Sequence, residues 1–382
     1  MRIDRKWVEQ NLGFDPISTP PPLATFAHAA AATSTDDTDL RRERIDFDSE
    51  APAGREFLAF TTATGLSRYT DPPWPKGLAP QTGPAPRGGP AKPLPRADVL
   101  VVTWTVDEGH ALSRVLTPGK DSRNDYRPYT HNFAALARKM LPRCPARLAK
   151  RLGSYWTTSI GGKSVVVFKS ESHMSQDGPQ LPNLDLWRQI IGEVQPKLVL
   201  TTGTAGGIGT EFEVGDVVVS SIVRFDCLKK FARRPFAHSH YSSAPARSKF
   251  FATAKKLFQA NAGQLPKGNT RPPKIAVVAP TALRQCVLTT DFFGFDTSNN
   301  CYKLQGLGDV SEMGDAVLGL ASQEMGAKAP HWLAIRNVSD PQIKAQGTLR
   351  DQAKIAAQIY KGFGRWSSVD SAIVCWAVIA AL

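Results

Sequence analysis

Short apolar runs alternate with stretches of helical periodicity through most of the chain. Val99 to Trp104 is a nearly continuous apolar run, and Asp107 to Leu116 after it spaces its apolar residues as one face of a helix. Tyr155 to Ser159 and Ser164 to Phe168 read as a hairpin around Gly161-Gly162, a pair that supplies the positive φ of a tight turn. Leu184 to Val194 predicts a helix, Lys197 to Thr202 a buried strand, and Asp216 to Arg224 and Lys274 to Ala279 two further strands. A helix over Ser311 to Met325 feeds a strand at His331 to Val338, and two helical stretches follow, Leu349 to Tyr360 and Ser367 to Leu382. This alternation predicts an α/β fold with a central mixed β-sheet flanked by helices.

The first quarter of the sequence has no such pattern. From Thr19 to Pro95 it is rich in Ala, Thr, Pro and Gly, and Asp71 to Pro95 is too dense in proline to sustain a helix or a sheet ladder. The expected organisation is an irregular Pro/Ala/Gly-rich N-terminal extension over 1–96 and a folded domain over 97–382. Apolar residues between Glu50 and Tyr69 (Phe57, Leu58, Phe60, Leu66) offer the extension a way to dock on that domain.

Composition narrows the function classes. With 382 residues, 42% hydrophobic, there is material for a sizeable core, and no apolar run reaches the roughly 18–20 residues of a membrane span. Met1 to Leu12 lacks the apolar block of a secretory signal, and five scattered cysteines, an odd number without a CxxC pair, do not make a complete disulfide framework. A cytoplasmic protein with no membrane association is expected. The net charge of +13 suits nucleic acid, acidic lipid or phosphorylated small molecules, and does not by itself choose among them.

The chemistry concentrates in a few segments. Leu198 to Gly209 runs from a strand into Gly203-Thr204-Ala205-Gly206-Gly207, small residues that let backbone N–H groups approach an anion or a flat ligand. Neither a P-loop nor the GxGxxG fingerprint is present. Downstream come Glu213-Val-Gly-Asp-Val-Val-Val-Ser220, then Ser311-Glu312-Met313-Gly314-Asp315-Ala316, then Ile335-Arg336-Asn337-Val338-Ser339-Asp340. Four such clusters in this order resemble the nucleoside phosphorylase and nucleosidase superfamily, most of all the 5′-methylthioadenosine/S-adenosylhomocysteine nucleosidases, over Arg96 to the C-terminus.

The resemblance implies a nucleoside phosphorylase-like catalytic domain that cleaves the N-glycosidic bond of a purine nucleoside or nucleotide. It implies Asp340 as the acid that serves purine N7 and Glu108, in Thr105-Val-Asp107-Glu108, as the base that activates water. The residues alone allow plainer readings: Asp340 before Pro341 suits a turn, and Glu108 suits a first helical turn. Thr204, Ala205 and Gly206 match the family's substrate loop, Met313 matches the methionine that packs under the ribose, and Phe293 falls where the family stacks an aromatic ring on the purine, with Phe292 one residue out of register. Arg336 and Ser339 hold Asp340, and Arg224 matches a basic position near phosphate in phosphorolytic relatives. Hydrolysis is favoured because Thr105 to Glu108 stands where the phosphorylases carry a glycine- and arginine-containing phosphate loop. No cofactor or metal is implied. A homo-oligomer, in which a neighbour completes the site, is.

One departure stands out. The family's Met-Glu is here Met313-Gly314, so the glutamate that takes the ribose hydroxyls is missing, and Glu312 and Asp315 are out of helical phase to replace it. The expectation is vacated volume beside Gly314, weak discrimination between ribose and deoxyribose, or a catalytically silent nucleoside-binding protein. The basic stretch Leu228 to Arg271, with Lys229-Lys230 and Arg233-Arg234, suits either a 5′-phosphate or a solvated surface. No RNA-binding signature accompanies the charge, which disfavours nucleic acid as the partner and leaves a small-molecule nucleoside or nucleotide, with phosphate as a further ligand.

Overall fold

Every second residue of Val99–Thr103 faces the opposite side of the sheet, and both sides are buried: Leu100 and Val102 join one core, Val99 and Val101 another. A strand apolar on both faces must lie between two layers, and here helices cover each. The computed structural model describes residues 72–382, apart from 143, 210, 244–246, 263–268, 292–303 and 341–348.

The strands, in chain order, are β1 (Gln81–Thr82), β2 (Val99–Thr103), β3 (Arg127–Tyr129), β4 (Gly153–Ile160), β5 (Lys163–Ser170), β6 (Leu198–Gly207) and β7 (Val217–Ser220). They continue with β8 (Ile222–Asp226), β9 (His240–Ser242), β10 (Ile275–Val278), β11 (Val287–Thr290), β12 (Val310–Glu312) and β13 (His331–Asp340). The main helices are α1 (Val106–Leu116), α2 (Pro182–Val194), α3 (Asp315–Met325) and α4 (Leu349–Ala380).

The long strand β6 organises the mixed sheet. It pairs in parallel with β2 and with β13, and its last residues pair antiparallel with β12. From β13 the ladder passes to β7, which continues through Ser221 into β8, and from β8 through β11 back to β12. The pairings therefore close a ring, β6-β13-β7/β8-β11-β12, with the β2-β5-β4 wing attached at β6. Helices α1 and α4 bury Leu112, Val115, Ile373 and Trp376 against one face, and α2 and α3 bury Trp187, Ile190, Val317 and Leu318 against the other. No helix of the described residues is long and apolar enough to cross a membrane.

Several sequence-based boundaries move. Asp216 to Arg224 is two strands broken at Ser221, whose flanking Ser220 hydroxyl donates to Ile222 O. The helix expected from Ser311 starts only at Asp315, because Val310–Glu312 is claimed by sheet pairing with β11 and β6. The two C-terminal helices are one, since Gly362 and Gly364 lie within α4; Gly364 is where the Tyr360 ring packs, 2.9 Å from the Cβ an alanine would carry. The described part of the extension is also less separate than composition predicts. Its β1 pairs with β4, Trp74 packs 4.7 Å from the Trp376 ring, and Trp376 Nε1 donates to Leu78 O at 2.6 Å. Residues 72–96 thus strap the domain. The apolar residues between Glu50 and Tyr69 lie outside the described residues.

Candidate active site

Three adjacent parallel strands, β2, β6 and β13, finish on one side of the sheet, the side where open α/β sheets hold their ligands. Register sets the neighbours: Arg336 lies beside Gly203, Asn337 beside Thr204, and Asp340 beside Gly206, with an irregularity between Val338 and Asp340 that accommodates Ser339. The segment expected to be a glycine loop is the end of β6 itself. Thr204 and Gly206 are half-buried and Ala205 is buried.

Glu108 reaches this point from the first turn of α1. Thr105 caps the helix and forms a reciprocal capping box with Glu108. Five donors converge on the buried carboxylate. Oε2 accepts from Thr103 Oγ1 (2.9 Å), Trp104 N (3.1 Å) and Thr105 N (2.9 Å), and Oε1 accepts from Thr204 N and Thr204 Oγ1, both at 2.7 Å. Burial works to raise its pKa, but the Arg336 charge and these donors hold it below the ordinary 4.5, so the group is an anion at neutral pH. The plainer reading of Glu108 as a first-turn residue is therefore realised in its capping box, and the same carboxylate lies across β6 from Arg336.

Asp340 is tuned in the opposite direction. Burial at the end of β13 pushes its carboxyl up to about 7, opposed only by the Ser339 hydroxyl, which donates to Oδ1 at 2.6 Å. Ser339 Oγ also reaches Ala205 O at 3.4 Å. The two carboxyl groups, one in the first turn of α1 and the other at the end of β13, are thus split, one kept ionised and the other kept protonated to near neutrality, the division that acid and base partners need.

Arg336, grouped with Ser339 as a holder of Asp340, donates instead to two other acids. Its Nε donates to Asp315 Oδ2 at 2.8 Å, and its Nη2 bonds Asp315 Oδ1 and, at 3.2 Å, Glu312 Oε2. Glu312 also accepts from Gly314 N (2.6 Å), Asp315 N (2.9 Å) and the Thr289 hydroxyl. Burial and the Asp315 charge push the Glu312 carboxyl up to about 8 against the pull of Arg336. Neither acid beside Gly314 is free for a sugar. Nor is the volume beside Gly314 vacant, because the indole of Trp104 stands there.

The remaining expected residues divide. Met313 is half-buried on the turn from β12 into α3, next to the Gly206 end of β6. Arg224 lies on β8, across β11 and β12 from Gly206: its charge acts on Asp226 and Cys286, and its Nε is buried without a partner among the described residues. Phe293 and its alternative Phe292 lie outside the described residues. Of the basic stretch, Arg271 is bound to Asp216, whereas Lys230 is close enough to help depress His173.

Sequence reasoning missed three participants. Gly203, at φ +144°, lets the Glu108 carboxylate lie against its Cα. Trp104 supplies a backbone N–H to Glu108 and a ring beneath Arg336. His173, pushed down to about 4 by burial and then by Arg336, Lys230 and Lys169 against the pull of Glu108, is a neutral imidazole in the same electrostatic neighbourhood. Gly203 opens the small-residue segment read from the sequence, but its contact with Glu108 had no local signal; Trp104 and His173 belong to no recognisable motif. Among the described residues no group of His, Cys, Asp and Glu is arranged to hold a metal ion.

A family model described as the phosphorylase superfamily matches residues 128–379. Among solved structures, the chain is similar to a 5′-methylthioadenosine/S-adenosylhomocysteine nucleosidase from Neisseria meningitidis in complex with methylthio-immucillin-A. The identity is 15%, over 75% of this chain and 100% of that one, with a TM-score of 0.45. The Helicobacter pylori nucleosidase with butyl-thio-DADMe-immucillin-A is 14% identical over 75% of this chain and 99% of that one, with a TM-score of 0.45. The futalosine hydrolase of Helicobacter pylori is 13% identical over 73% of this chain and 96% of that one, with a TM-score of 0.43. No curated protein matches the chain.

Proposed function

The chain belongs to the phosphorylase superfamily, and on that premise we propose that it hydrolyses the N-glycosidic bond of a purine nucleoside or nucleotide. The observation that carries this reading is the opposed tuning of Glu108, in the first turn of α1, and Asp340, at the end of β13. In the proposed reaction the Glu108 carboxylate takes a proton from water as the water oxygen bonds to C1′ of the sugar. The C1′–N9 bond breaks, its electron pair goes to the purine, and Asp340 gives its proton to N7, so that neutral base leaves. In this reading the attacking water meets Glu108 at Oε1, where the Thr204 hydroxyl can rotate away whereas the three backbone N–H donors are fixed.

The family match begins downstream of β2 and α1, so the assignment of Glu108 rests on its place across β6 from Arg336. In this reading Ser339 orients Asp340, Met313 and the Thr204 to Gly206 strand end line the substrate, and Phe293 flanks the base. A phosphate role for Arg224 finds less support, since its charge acts elsewhere, and hydrolysis is preferred to phosphorolysis. A second reading, a nucleoside-binding protein without turnover, is favoured by one observation: five donors already engage both oxygens of the Glu108 carboxylate.

A panel of adenosine, inosine, methylthioadenosine and AMP, incubated with and without phosphate, separates these readings. Free base at a phosphate-independent rate is the expected result. Base release only with phosphate would move the assignment to phosphorolysis, and saturable binding without release would leave the silent binder.

A further inference from the structure

A side chain built on Gly314 would start 3.3 Å from Cζ2 and 3.5 Å from Cε2 of Trp104. Those two atoms lie on the indole edge that carries Nε1. The Nε1 hydrogen finds no acceptor among the described residues, although the tryptophan is only 3% exposed. A buried donor without a partner is costly and calls for an explanation. The ring is not there by slack packing. The Arg336 guanidinium sits 4.8 Å over its centroid, Trp187 meets it edge-on at 6.2 Å, and its own backbone N–H is fixed to Glu108. The other polar groups around Gly314 are spent: Glu312 and Asp315 both hold Arg336.

We infer that Trp104 is the sugar-recognising residue of this site, its indole edge filling the space beside Gly314 and its Nε1–H donating to one sugar oxygen. The inference rests on the nucleosidase reading above and adds what that reading lacks, a group to replace the missing glutamate. The exchange changes the chemistry of recognition. A carboxylate accepts from two hydroxyls, whereas an indole offers one donor and otherwise carbon. A sugar with a single hydroxyl at this edge satisfies it. A second hydroxyl is pressed against ring carbons and loses the partner it had in water. The site therefore takes 2′-deoxyribosyl substrates at least as well as ribosyl ones.

The test uses the full chain and four proteins: wild type, Trp104→Phe, Gly314→Glu and the double variant Trp104→Ala/Gly314→Glu. Matched substrates are adenosine with 2′-deoxyadenosine and inosine with 2′-deoxyinosine. In wild type, kcat/KM for the deoxynucleoside should equal or exceed that for the riboside. Phe keeps an aromatic ring but has no N–H to donate, so Trp104→Phe should lower kcat/KM for the deoxynucleoside by about tenfold. The double variant, with room for a carboxylate, should turn the preference towards the riboside. A second readout needs no turnover: the indole N–H resonance absent from Trp104→Phe should shift in wild type when 2′-deoxyadenosine binds. A third concerns the free protein, where Gly314→Glu should lower Tm more when Trp104 is present than when it is Ala. Base release with an unmoved Trp104 resonance, a riboside preference of tenfold or more in wild type, or additive Tm effects would each overturn the inference while leaving the nucleosidase reading intact. Failure to bind or cleave any of the four nucleosides, or methylthioadenosine or AMP, would overturn that reading, and the inference with it.

Discussion

The carboxylate of Glu108 rests on Gly203 so closely that a Cβ there would stand 2.3 Å from Glu108 Cδ and 2.4 Å from Oε1. Gly203 also holds φ at +144°, a conformation that side-chain-bearing residues avoid. The strand end next to the candidate site is thus shaped around one acid on another element.

Gly203→Ala should therefore damage the site more than the fold. The methyl must push Glu108 out of its ring of donors and strain the backbone, at a stability cost of about 1–3 kcal/mol. Nucleoside hydrolysis should fall by ~10² or more while the far-ultraviolet spectrum stays native. Unchanged turnover in this variant would mean that Glu108 does not need its observed position.

Glu108→Gln separates charge from shape. Glutamine is accepted in a capping box, but an amide nitrogen cannot accept a hydrogen bond, so its NH₂ must face the Thr204 donors or those of Thr103 to Thr105. A loss of about 1–3 kcal/mol in unfolding free energy is expected, measured by denaturant titration. Single-turnover hydrolysis should drop by ~10² or more with nucleoside binding still detectable. If binding vanishes and the rate per bound substrate is unchanged, Glu108 is structural.

The pH dependence follows from the two opposed carboxyls. The general base is ionised above its lowered pKa, and the general acid is protonated below about 7. The profile of kcat/KM should be flat across mildly acid pH and decline above about 7. Stability runs the same way. With a pKa of about 7 in the fold against an ordinary 3.8, Asp340 binds more protons folded than unfolded between those values. Stability therefore falls as pH rises through that window and levels off above it. Removing the titrating group in Asp340→Asn should flatten this slope, as thermal melts across the range would report.

Arg336 makes a sharper stability prediction. Its guanidinium serves Asp315 and Glu312 inside the core, and all three side chains are nearly inaccessible. Arg336→Met leaves two buried carboxyls without their cation, so a loss of about 3–5 kcal/mol is expected, or outright failure to fold. Lysine keeps the charge but not the fork that spans Asp315, and should recover part of the loss.

Much of the scaffold was legible because its signals are local. The Gly161-Gly162 turn, the apolar run of β2 and the periodicity of α1 and α2 each specify an element without help from the rest of the chain. Where long-range pairing decides, local reading failed: Ser311 and Glu312 have helical neighbours but are held as strand by Leu288 and Thr289 of β11. The site shows the same division. Glu108, Asp340 and Arg336 stood out through resemblance; the structure sets Glu108 in the first turn after β2, and Arg336 and Asp340 on β13 beside Gly203 and Gly206. Trp104 carried no signal as a site residue, because its neighbour Gly314 lies more than two hundred positions away in sequence. The docking of the Pro-rich segment had no sequence signal, since it uses Trp74 against Trp376 and not regular structure.

The most direct measurement is the rate of base release by Asp340→Asn. Asparagine keeps the size of the side chain and can still take the Ser339 hydrogen bond, but it has no carboxyl proton to give to the leaving base. With a purine nucleoside that wild type cleaves, the variant should be folded, should bind the substrate, and should release base slower by ~10² or more. A folded Asp340→Asn protein that releases base at close to the wild-type rate would contradict the account.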